Sequence, residues 1–339
     1  MLKKINFKFL FSQIVICLIC AELVLQLFHG AYQVTPYSIS SKPQLCLNCH
    51  QTRGFGLSPG KFQVSINQKV NFTCTIGKDS SRITKPASDT LAGKPEIHIH
   101  GCSFAFGMGV DDTLTYPYLL QSKHNNLNIK NLAVPGNGTL QTLLGLKEQL
   151  KNKELPDAII LNYASFHDER NVLNLNYREA LFYGFKHANQ QIEPLFKECK
   201  FPYAFLDKNP KKLKFNYIDW NNLYSHWKYR DVLASVNFIQ TTRENFQILQ
   251  ENDHKITRLL LRQIHLLCQE NDIDLVVALM TSDMPSSIIK TYCKTLNIKT
   301  IDLNLDLASP RYTNLPYDSH PNALAHKEYA ERISSAIFF

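Results

Sequence analysis

An almost unbroken apolar stretch near the start of the chain is the feature that most constrains the fold. It runs from Phe9 to Phe28, and its only polar residues are Ser12, Gln13, Glu22 and Gln26. A helix of about 20 apolar residues is long enough to cross the hydrocarbon core of a bilayer. Three lysines precede the stretch, and no Lys or Arg follows it until Lys42. By the positive-inside rule, the N-terminus is cytoplasmic and the bulk of the chain lies outside.

Two other interpretations of this stretch are a cleaved signal peptide and a buried core helix. A signal peptide ends at a small-residue cleavage site, which the segment 27–31 matches poorly. A core helix would leave the flanking lysines unexplained. We therefore predict a cytoplasmic tail over residues 1–6 and a transmembrane anchor over 7–28. Glu22 is costly in such an anchor unless it is paired or near an interface.

The remainder of the chain is globular in composition. The protein has 339 residues, of which 44% are hydrophobic and 19% charged, so it can bury a large core. Its net charge of +8 comes partly from the N-terminal lysines and partly from an excess between Lys197 and Arg230. Neither group forms a nucleic-acid-binding motif, so we expect no nucleic-acid partner. The oligomeric state stays open.

The pattern of strands and helices changes along the chain. Residues 29–93 are predicted to form a juxtamembrane β-rich segment and linker, because Lys61–Ile66 alternates with period two. From residue 94 onward, strands alternate with helices, which favours an α/β fold with a doubly wound, mostly parallel five-stranded sheet flanked by helices. The predicted strands are Glu96–His100, Ile129–Val134, Asp157–Asn162, Asp274–Leu279 and Lys299–Leu303, and the predicted helices are Leu140–Leu150, Arg243–Glu270, Ile288–Leu296 and Asn322–Ile337.

The chain has nine cysteines. In an exported protein, cysteines can form disulfides, because the environment outside the cytoplasm is oxidising. Cys17 and Cys20 lie in the predicted anchor, which leaves an odd number outside and no way to deduce the pairing. The segment from Cys46 through Cys49 to His50 matches the pattern for covalent haem attachment. No helix-rich haem domain surrounds it, so we favour a local disulfide or a Cys46–Cys74 pair. We expect no cofactor.

A metal site is not expected either. His98 and His100 lie on the same face of a predicted strand, but the sequence offers no third ligand. A pair of histidines in the core is the favoured interpretation.

Chemistry in a parallel sheet lies at the carboxyl ends of the strands. Ser103 follows the first predicted strand, at a turn into a helix whose N-terminus favours negative charge. Alone, such a serine is more often a helix N-cap. Gly136 follows the second strand, in a turn where backbone N–H groups can approach an oxyanion. Near the C-terminus, Asp318 and His320 are two residues apart, so both face one side of an extended segment. Together these residues have the composition of a serine triad.

These blocks, in this order, resemble the SGNH (GDSL-like) hydrolase family over about residues 94–339, and in particular its membrane-anchored, bacterial-type branch. The blocks are Gly101–Phe104, Asn131–Gly136, the loop around Asn162–Asn171, and Asp318–Asn322. The resemblance implies Ser103 as nucleophile, His320 as base and Asp318 as the acid that orients it. It also implies an oxyanion hole formed by the N–H groups of Ser103 and Gly136.

The chain departs from the family pattern at three places. Cys102 stands where the first block usually has Asp, and the usual Gly-x-Asn-Asp string of the third block is absent. His167 is therefore the expected third oxyanion donor, with Asn162 second. The last block is Asp-x-His and not the commoner Asp-x-x-His, a spacing found in relatives that handle acetyl groups on exopolysaccharides.

The resemblance implies a membrane-anchored, extracytoplasmic serine esterase or acyl transferase that acts on ester-linked acyl groups, chiefly acetyl, of a glycan. The alternatives are a lipid-directed hydrolase and a catalytically silent envelope or polysaccharide-assembly module. An insert at about 172–240 is rich in aromatic and basic residues. It is either a lid that contacts substrate or, as we favour, a segment packed on its own aromatic rings.

Overall fold

The computed structural model describes residues 7–33, 38–44, 46–86, 91, 93–187, 196–207, 212–251 and 253–336. The chain divides into two compact units. The smaller one comprises Met1–Pro36 and Tyr224–Glu251, and the larger one comprises Tyr37–Leu223 and Asn252–Phe339.

The predicted anchor is a continuous helix, α1 (Phe7–Phe28). Within the described residues it is the one helix long and apolar enough to cross a membrane, with a mean hydropathy of 2.2. None of its residues is buried. A core helix of a soluble protein would be mostly buried, so the core-helix interpretation is not supported.

The predicted β-rich segment is present. Its strands are β1 (Ile39–Lys42), β2 (Leu47–His50), β3 (Gly54–Leu57), β4 (Gly60–Ile66) and β5 (Val70–Ile76). Strands β1, β4 and β5 form an antiparallel sheet in that order, and β2 and β3 form a hairpin. Phe62, Val64 and Ile66 alternate inward along β4, which confirms the period-two prediction.

The predicted parallel sheet is confirmed. Among the strands after β5, β9 (Lys200–Leu206) pairs antiparallel with β10 (Leu213–Asp219), and β13 (Thr313–Asn314) pairs antiparallel with β14 (Asp318–Pro321). The strands that follow β5 are β6 (Glu96–His100), β7 (Asn128–Asn131), β8 (Ala158–Tyr163), β9 (Lys200–Leu206), β10 (Leu213–Asp219), β11 (Asp274–Leu279), β12 (Lys299–Asp302), β13 (Thr313–Asn314) and β14 (Asp318–Pro321).

Five of these strands form the sheet in the order β12–β11–β8–β6–β7, with every neighbouring pair parallel. The chain leaves β6 toward β7 and leaves β8 toward β11, so the strand order reverses between β6 and β8. In such sheets the ligand crevice lies at the carboxyl ends of the strands at this reversal.

Helices flank the sheet. The helices that follow α1 lie in the larger unit, apart from α8 (Ala234–Leu249), which lies in the smaller one. They are α2 (Ser103–Phe106), α3 (Tyr116–Lys123), α4 (Thr139–Asn152), α5 (His167–Val172), α6 (Leu175–His187), α7 (Trp220–Leu223), α8 (Ala234–Leu249), α9 (Asp253–Gln269), α10 (Met284–Thr295) and α11 (Ala323–Ala336).

Several predicted element boundaries were wrong, and the helix predicted over Ile288–Leu296 begins four residues earlier, at Met284. The single helix predicted over Arg243–Glu270 is two helices, α8 and α9, in different compact units. Asp253 opens the second helix, where the positive end of the helix dipole favours an acid. The second sheet strand ends at Asn131 and not at Val134, because the Asn131 side chain accepts a hydrogen bond from the Ala133 N–H and the chain turns away.

The cysteine prediction was also wrong. Cys49 is bonded to Cys199, 150 residues along the chain, and links β2 to the start of β9. Cys46 and Cys74 are both buried and free. Covalent haem attachment through Cys46 and Cys49 would need both thiols, and the disulfide occupies one of them.

Some aromatic rings of the insert pack on one another, whereas Tyr217 and Tyr229 are exposed. Phe201 and Trp220 are buried, and Phe182 stacks on Trp220 with ring centroids 5.6 Å apart. Lys214, one of the basic residues of the insert, forms an ion pair with Asp207, with Nζ 2.8 Å from Oδ2. Lys208 and Lys211 lie outside the described residues.

A buried arginine joins the β-rich segment to the loop that follows α2. Arg82 is fully buried and its Nε donates to the Asp112 carboxylate at 2.9 Å. Its other nitrogens donate to the carbonyl oxygens of Thr73, Phe106, Gly107 and Val110. A guanidinium suits this role because it carries five donors in a fixed plane.

Replacing Arg82 with methionine should lower the free energy of unfolding by about 3–5 kcal/mol, because Asp112 would become an uncompensated buried charge. Urea unfolding measures the change. Arg262→Met, at an exposed position of α9, is the matched control and should shift stability by less than about 0.5 kcal/mol. Equal stabilities of the two variants would contradict this role.

Candidate active site

Ser103 begins α2 directly after the inner strand β6. The helix N-cap is Cys102 and not Ser103, and it makes no side-chain cap. The N-cap explanation of this serine is therefore removed. Ser103 is 6% exposed, and in the described part of the chain its hydroxyl has no hydrogen-bond partner. A hydroxyl in this position is available for chemistry.

Backbone geometry holds the serine turn close to strand β8. Gly101 has a φ of 154°, and a Cβ there would lie 2.9 Å from Asn162 Cβ and 3.0 Å from Ala105 Cβ. The Asn131 amide donates to the Ala105 and Phe106 carbonyl oxygens at 3.3 Å. The turn can approach β8 this closely because Gly101 has no Cβ. The buried Asn131 amide then holds the turn in place.

Asp318 and His320 lie in β14 as the spacing predicts. The His320 Nδ1 is 2.8 Å from Asp318 Oδ1, and the Asp318 side chain is fully buried whereas that of His320 is 17% exposed. If the carboxylate accepts this bond, Nδ1 carries the proton and Nε2 is left as an acceptor. This is the tautomer that a general base requires.

Strand β14 and helix α2 pack against each other. The Phe104 ring meets the His320 ring edge-on, with centroids 5.9 Å apart. Ser103 precedes Phe104, so the nucleophile and base candidates share one region. Among the described residues no hydrogen bond joins the Ser103 hydroxyl to His320; the Asp–His contact is formed and the Ser–His contact is not. Catalytic hydrogen bonds are often long in unliganded enzymes.

Gly136 lies beside the serine turn. The Val134 N–H donates to the Gly101 carbonyl at 3.1 Å, which ties the loops after β7 and β6 together. In the described part of the chain, neither the Gly136 N–H nor the Ser103 N–H has an acceptor. Two such free donors are what an oxyanion hole needs.

The two further oxyanion candidates differ in environment. His167 is fully buried, and neither ring nitrogen has a hydrogen-bond partner among the described residues. Burial, with a second contribution from Arg170, holds the pKa of His167 well below its usual value, so the ring is neutral and offers one N–H. The Asn162 amide instead donates to the His100 carbonyl at 2.9 Å, which holds the end of β6.

Two residues near Gly136 were missed by the sequence analysis. The Tyr177 hydroxyl donates to the Gly136 carbonyl, and burial raises the pKa of Tyr177 to about 12. The Arg170 guanidinium lies over the Phe166 ring at 4.3 Å and over the Tyr177 ring at 5.4 Å, and donates to the Asn137 carbonyl at 3.0 Å. Arg170 lies in the predicted polar loop around Asn162–Asn171, so its position could have indicated a role at the site. Tyr177 belongs to no sequence motif that would have identified it.

Both histidines of β6 are buried, His98 with 2% and His100 with 5% of its surface exposed. His98 Nε2 lies 2.5 Å from Glu96 Oε1, and its Nδ1 contacts the Gln149 amide at 3.2 Å. Among the described residues, no group of three or more His, Cys, Asp or Glu side chains could hold a metal ion.

No family model and no curated protein matches this chain. Solved structures do. A member of the lipolytic protein G-D-S-L family from Veillonella parvula is 13% identical, with a TM-score of 0.39 over 71% of this chain and 97% of its own. The psychrotrophic esterase EstA from Pseudoalteromonas is 13% identical, with a TM-score of 0.40 over 71% and 98%. A family two carbohydrate esterase from Clostridium thermocellum is 12% identical, with a TM-score of 0.31 over 71% and 62%.

Proposed function

We propose that this protein is a membrane-anchored serine esterase or acyl transferase acting on ester-linked acyl groups of an extracytoplasmic glycan. The observation that carries the proposal is the hydrogen-bonded Asp318–His320 pair. It lies in a strand that packs against α2, the helix that begins with Ser103. The order of these residues along the chain, on a doubly wound sheet, is the order of the SGNH resemblance.

The reaction follows from the roles of these side chains. The Ser103 Oγ attacks the ester carbonyl carbon while His320 Nε2 takes the hydroxyl proton, and Asp318 stabilises the imidazolium that forms. The tetrahedral intermediate collapses, the C–O bond to the alcohol breaks, and His320 returns the proton to the leaving oxygen. Water or a sugar hydroxyl then attacks the acyl-serine by the same steps in reverse. No cofactor is needed for this chemistry.

Charge on the carbonyl oxygen develops in the transition state. The free N–H groups of Ser103 and Gly136 would donate to it, and the neutral His167 ring could supply a third donor. One such donor contributes about 10²–10³ in turnover in serine hydrolases.

Polar groups near the site support a glycan as the alcohol partner. The Arg170 guanidinium and the Tyr177 hydroxyl lie on the Gly136 side, and the Phe104 and Phe166 rings meet edge-on at 5.4 Å. Aromatic and donor side chains together suit a sugar with its hydroxyl groups. An acetyl group is the proposed acyl part, as the Asp-x-His spacing suggests.

A serine-reactive fluorophosphonate probe tests the activity. We expect the probe to label the wild-type protein on the peptide that contains Ser103, whereas a catalytically silent module would stay unlabelled. Mass spectrometry of envelope glycans with and without the protein tests the substrate, since loss of the enzyme should change their acetyl content. Unchanged glycans together with altered lipids would favour the lipid-directed alternative.

The proposed orientation places the catalytic residues outside the cell. Protease added to the outer face of right-side-out membranes should therefore digest the chain beyond about residue 35, because the lysine-rich end stays inside. Digestion is followed with an antibody against the C-terminus. A C-terminal region protected until the membrane is permeabilised would reverse the orientation.

Gly136→Ala should lower kcat/KM for a p-nitrophenyl ester by about 100-fold, because a displacement of about 1 Å in a catalytic group costs that much. Gly136 has a φ of 87°, and a Cβ there would lie 2.7 Å from Phe55 Cζ and 3.1 Å from the Tyr177 hydroxyl. The loop must shift, and the Gly136 N–H shifts with it.

The matched control is Gly184→Ala in α6, where a Cβ meets nothing within 4 Å. That variant should keep full activity, and its helix should gain about 1 kcal/mol. A folded Gly136→Ala protein with unchanged kinetics would remove Gly136 from the oxyanion hole.

A further inference from the structure

The segment Tyr224–Glu251 of the smaller unit has its polar and apolar residues inverted. A helix on a water-soluble protein turns its apolar residues inward and its polar residues to solvent. Helix α8 does the opposite at its centre. Asn237 and Gln240 are buried, whereas Phe238 and Ile239, their direct neighbours, are 45% and 54% exposed.

The buried side of the segment is a hydrogen-bonded polar network. Arg230 is 2% exposed and its Nε donates to Asn237 Oδ1 at 2.9 Å. Its other nitrogens contact the Tyr224 hydroxyl and the Glu244 carboxylate. Gln240 donates to the Ser225 carbonyl at 2.8 Å and to the same Glu244 carboxylate at 2.7 Å. These buried polar groups thus satisfy one another.

The outward side carries the large apolar residues of the helix, and Thr242, Arg243, Asn245 and Gln247 are exposed beside them. Phe238, Ile239, Phe246 and Leu249 follow the helical spacing i, i+1, i+8 and i+11, so they lie on one side of α8, and we call them the apolar face. Phe246 is 63% exposed and Leu249 is 83% exposed. The preceding Val232 and Leu233 are exposed as well. Apolar residues outside and paired polar residues inside suit a protein surface in contact with lipid.

The start of α8 is attached to α1 by the polar residues of the anchor. The Glu22 carboxylate accepts the backbone N–H groups of Ala234 at 2.7 Å and Ser235 at 3.0 Å, and so caps the α8 N-terminus. Gln26, one turn along α1, donates to the Val232 carbonyl at 3.0 Å. An acid that is costly in a membrane span is here paired with the positive end of a helix dipole.

The contacts of Glu22 and Gln26 determine where along α1 the start of α8 lies. Glu22 is six residues before the end of α1, or about 9 Å along the helix axis at 1.5 Å per residue. Beyond that end, the Arg230 guanidinium lies 4.3 Å over the Tyr32 ring, and Tyr229 is exposed. Trp227 and Tyr229 flank Lys228, and such residues are enriched where a membrane meets water.

From this arrangement we propose that α8 is a second membrane element, with its apolar face embedded among the lipids of the leaflet that holds the C-terminal end of α1. The apolar face contacts the acyl chains of the bilayer, and the Trp227–Tyr229 loop lies at the level of the lipid headgroups. The protein then contacts the membrane at two places along its sequence. This inference rests on the proposed membrane location of α1 and not on the chemistry of Ser103.

Photocrosslinking in the full-length protein tests it. p-Benzoylphenylalanine is placed at Phe238 or Phe246, the protein is reconstituted in phosphatidylcholine nanodiscs, and lipid adducts are quantified by mass spectrometry after irradiation. Leu18, exposed in the middle of α1, is the positive control, and Met284, a 78% exposed apolar residue of the larger unit, is the negative control. We expect adduct yields at Phe238 and Phe246 close to that at Leu18 and several-fold above that at Met284.

The outcomes separate the two proposals. No lipid adduct at Leu18 would overturn the membrane anchor itself. Adducts at Leu18 without adducts at Phe238 and Phe246 would overturn the inference about α8 alone. Crosslinks from Phe238 or Phe246 to a second copy of the chain, in place of lipid, would also overturn it, because the apolar face would then be an interface between protein molecules.

Discussion

Ser103→Ala is expected to lower the turnover of a short p-nitrophenyl ester by about 10⁶-fold, the loss seen when a triad nucleophile is removed. The thermal melting temperature should stay within about 1–2 °C of wild type, because the lost hydroxyl makes no hydrogen bond in the described part of the chain. Steady-state kinetics and melting on the same preparations measure both quantities. Labelling by the fluorophosphonate probe should disappear with the activity.

The control for this variant is Ser287→Ala, at an exposed serine of α10, which should be fully active. A folded Ser103→Ala protein that still turns over ester would move the nucleophile elsewhere. It would also remove the basis of the SGNH resemblance, since Ser103 carries its first block.

Asp318→Asn should lower turnover by about 10⁴-fold and His320→Ala by about 10⁶-fold, and the double variant should be scarcely worse than His320→Ala alone. Both effects have one cause. The Asp318 carboxylate holds the proton on His320 Nδ1 through a 2.8 Å contact, whereas an asparagine amide would donate to that nitrogen and leave the wrong tautomer facing Ser103. Rates and melting temperatures of the three variants test this coupling.

The same measurements distinguish a merely structural role. If Asp318 were only a turn residue, Asp318→Asn would cost about 1 kcal/mol of stability and little rate. Asp302→Asn is a suitable control, because Asp302 is exposed and pairs with Lys290 at 3.5 Å. A fully active Asp318→Asn protein would reduce the site to a Ser103–His320 dyad.

Local sequence patterns determined the elements of this protein. The apolar stretch of α1, the alternation along β4 and the mainly apolar strand β8 each follow from short-range patterns, which depend only on the residues in the element. The Asp318–His320 contact is also local, because two residues of one extended segment must face the same side. Ser103 was identified through its place directly after a strand.

Boundaries and pairings depended on distant residues. Strand β7 stops where the Asn131 side chain engages α2, and the predicted 28-residue helix breaks because its halves pack in different units. Cys49 pairs with Cys199, 150 residues away. A spacing argument favours near partners, whereas a disulfide forms between whichever thiols the fold brings to within about 6 Å between Cα atoms.

What the sequence by itself determined was therefore the kind of the strongly periodic elements and the identity of the Ser, Asp and His candidates, since these depend on a few neighbouring residues. The tertiary structure alone decided their surroundings. It placed Tyr177 against Gly136 and Arg170 over Tyr177, and it joined Glu22 to the N-terminus of α8, more than 200 residues away. No periodicity links such positions, because they meet only when separate helices and strands pack together.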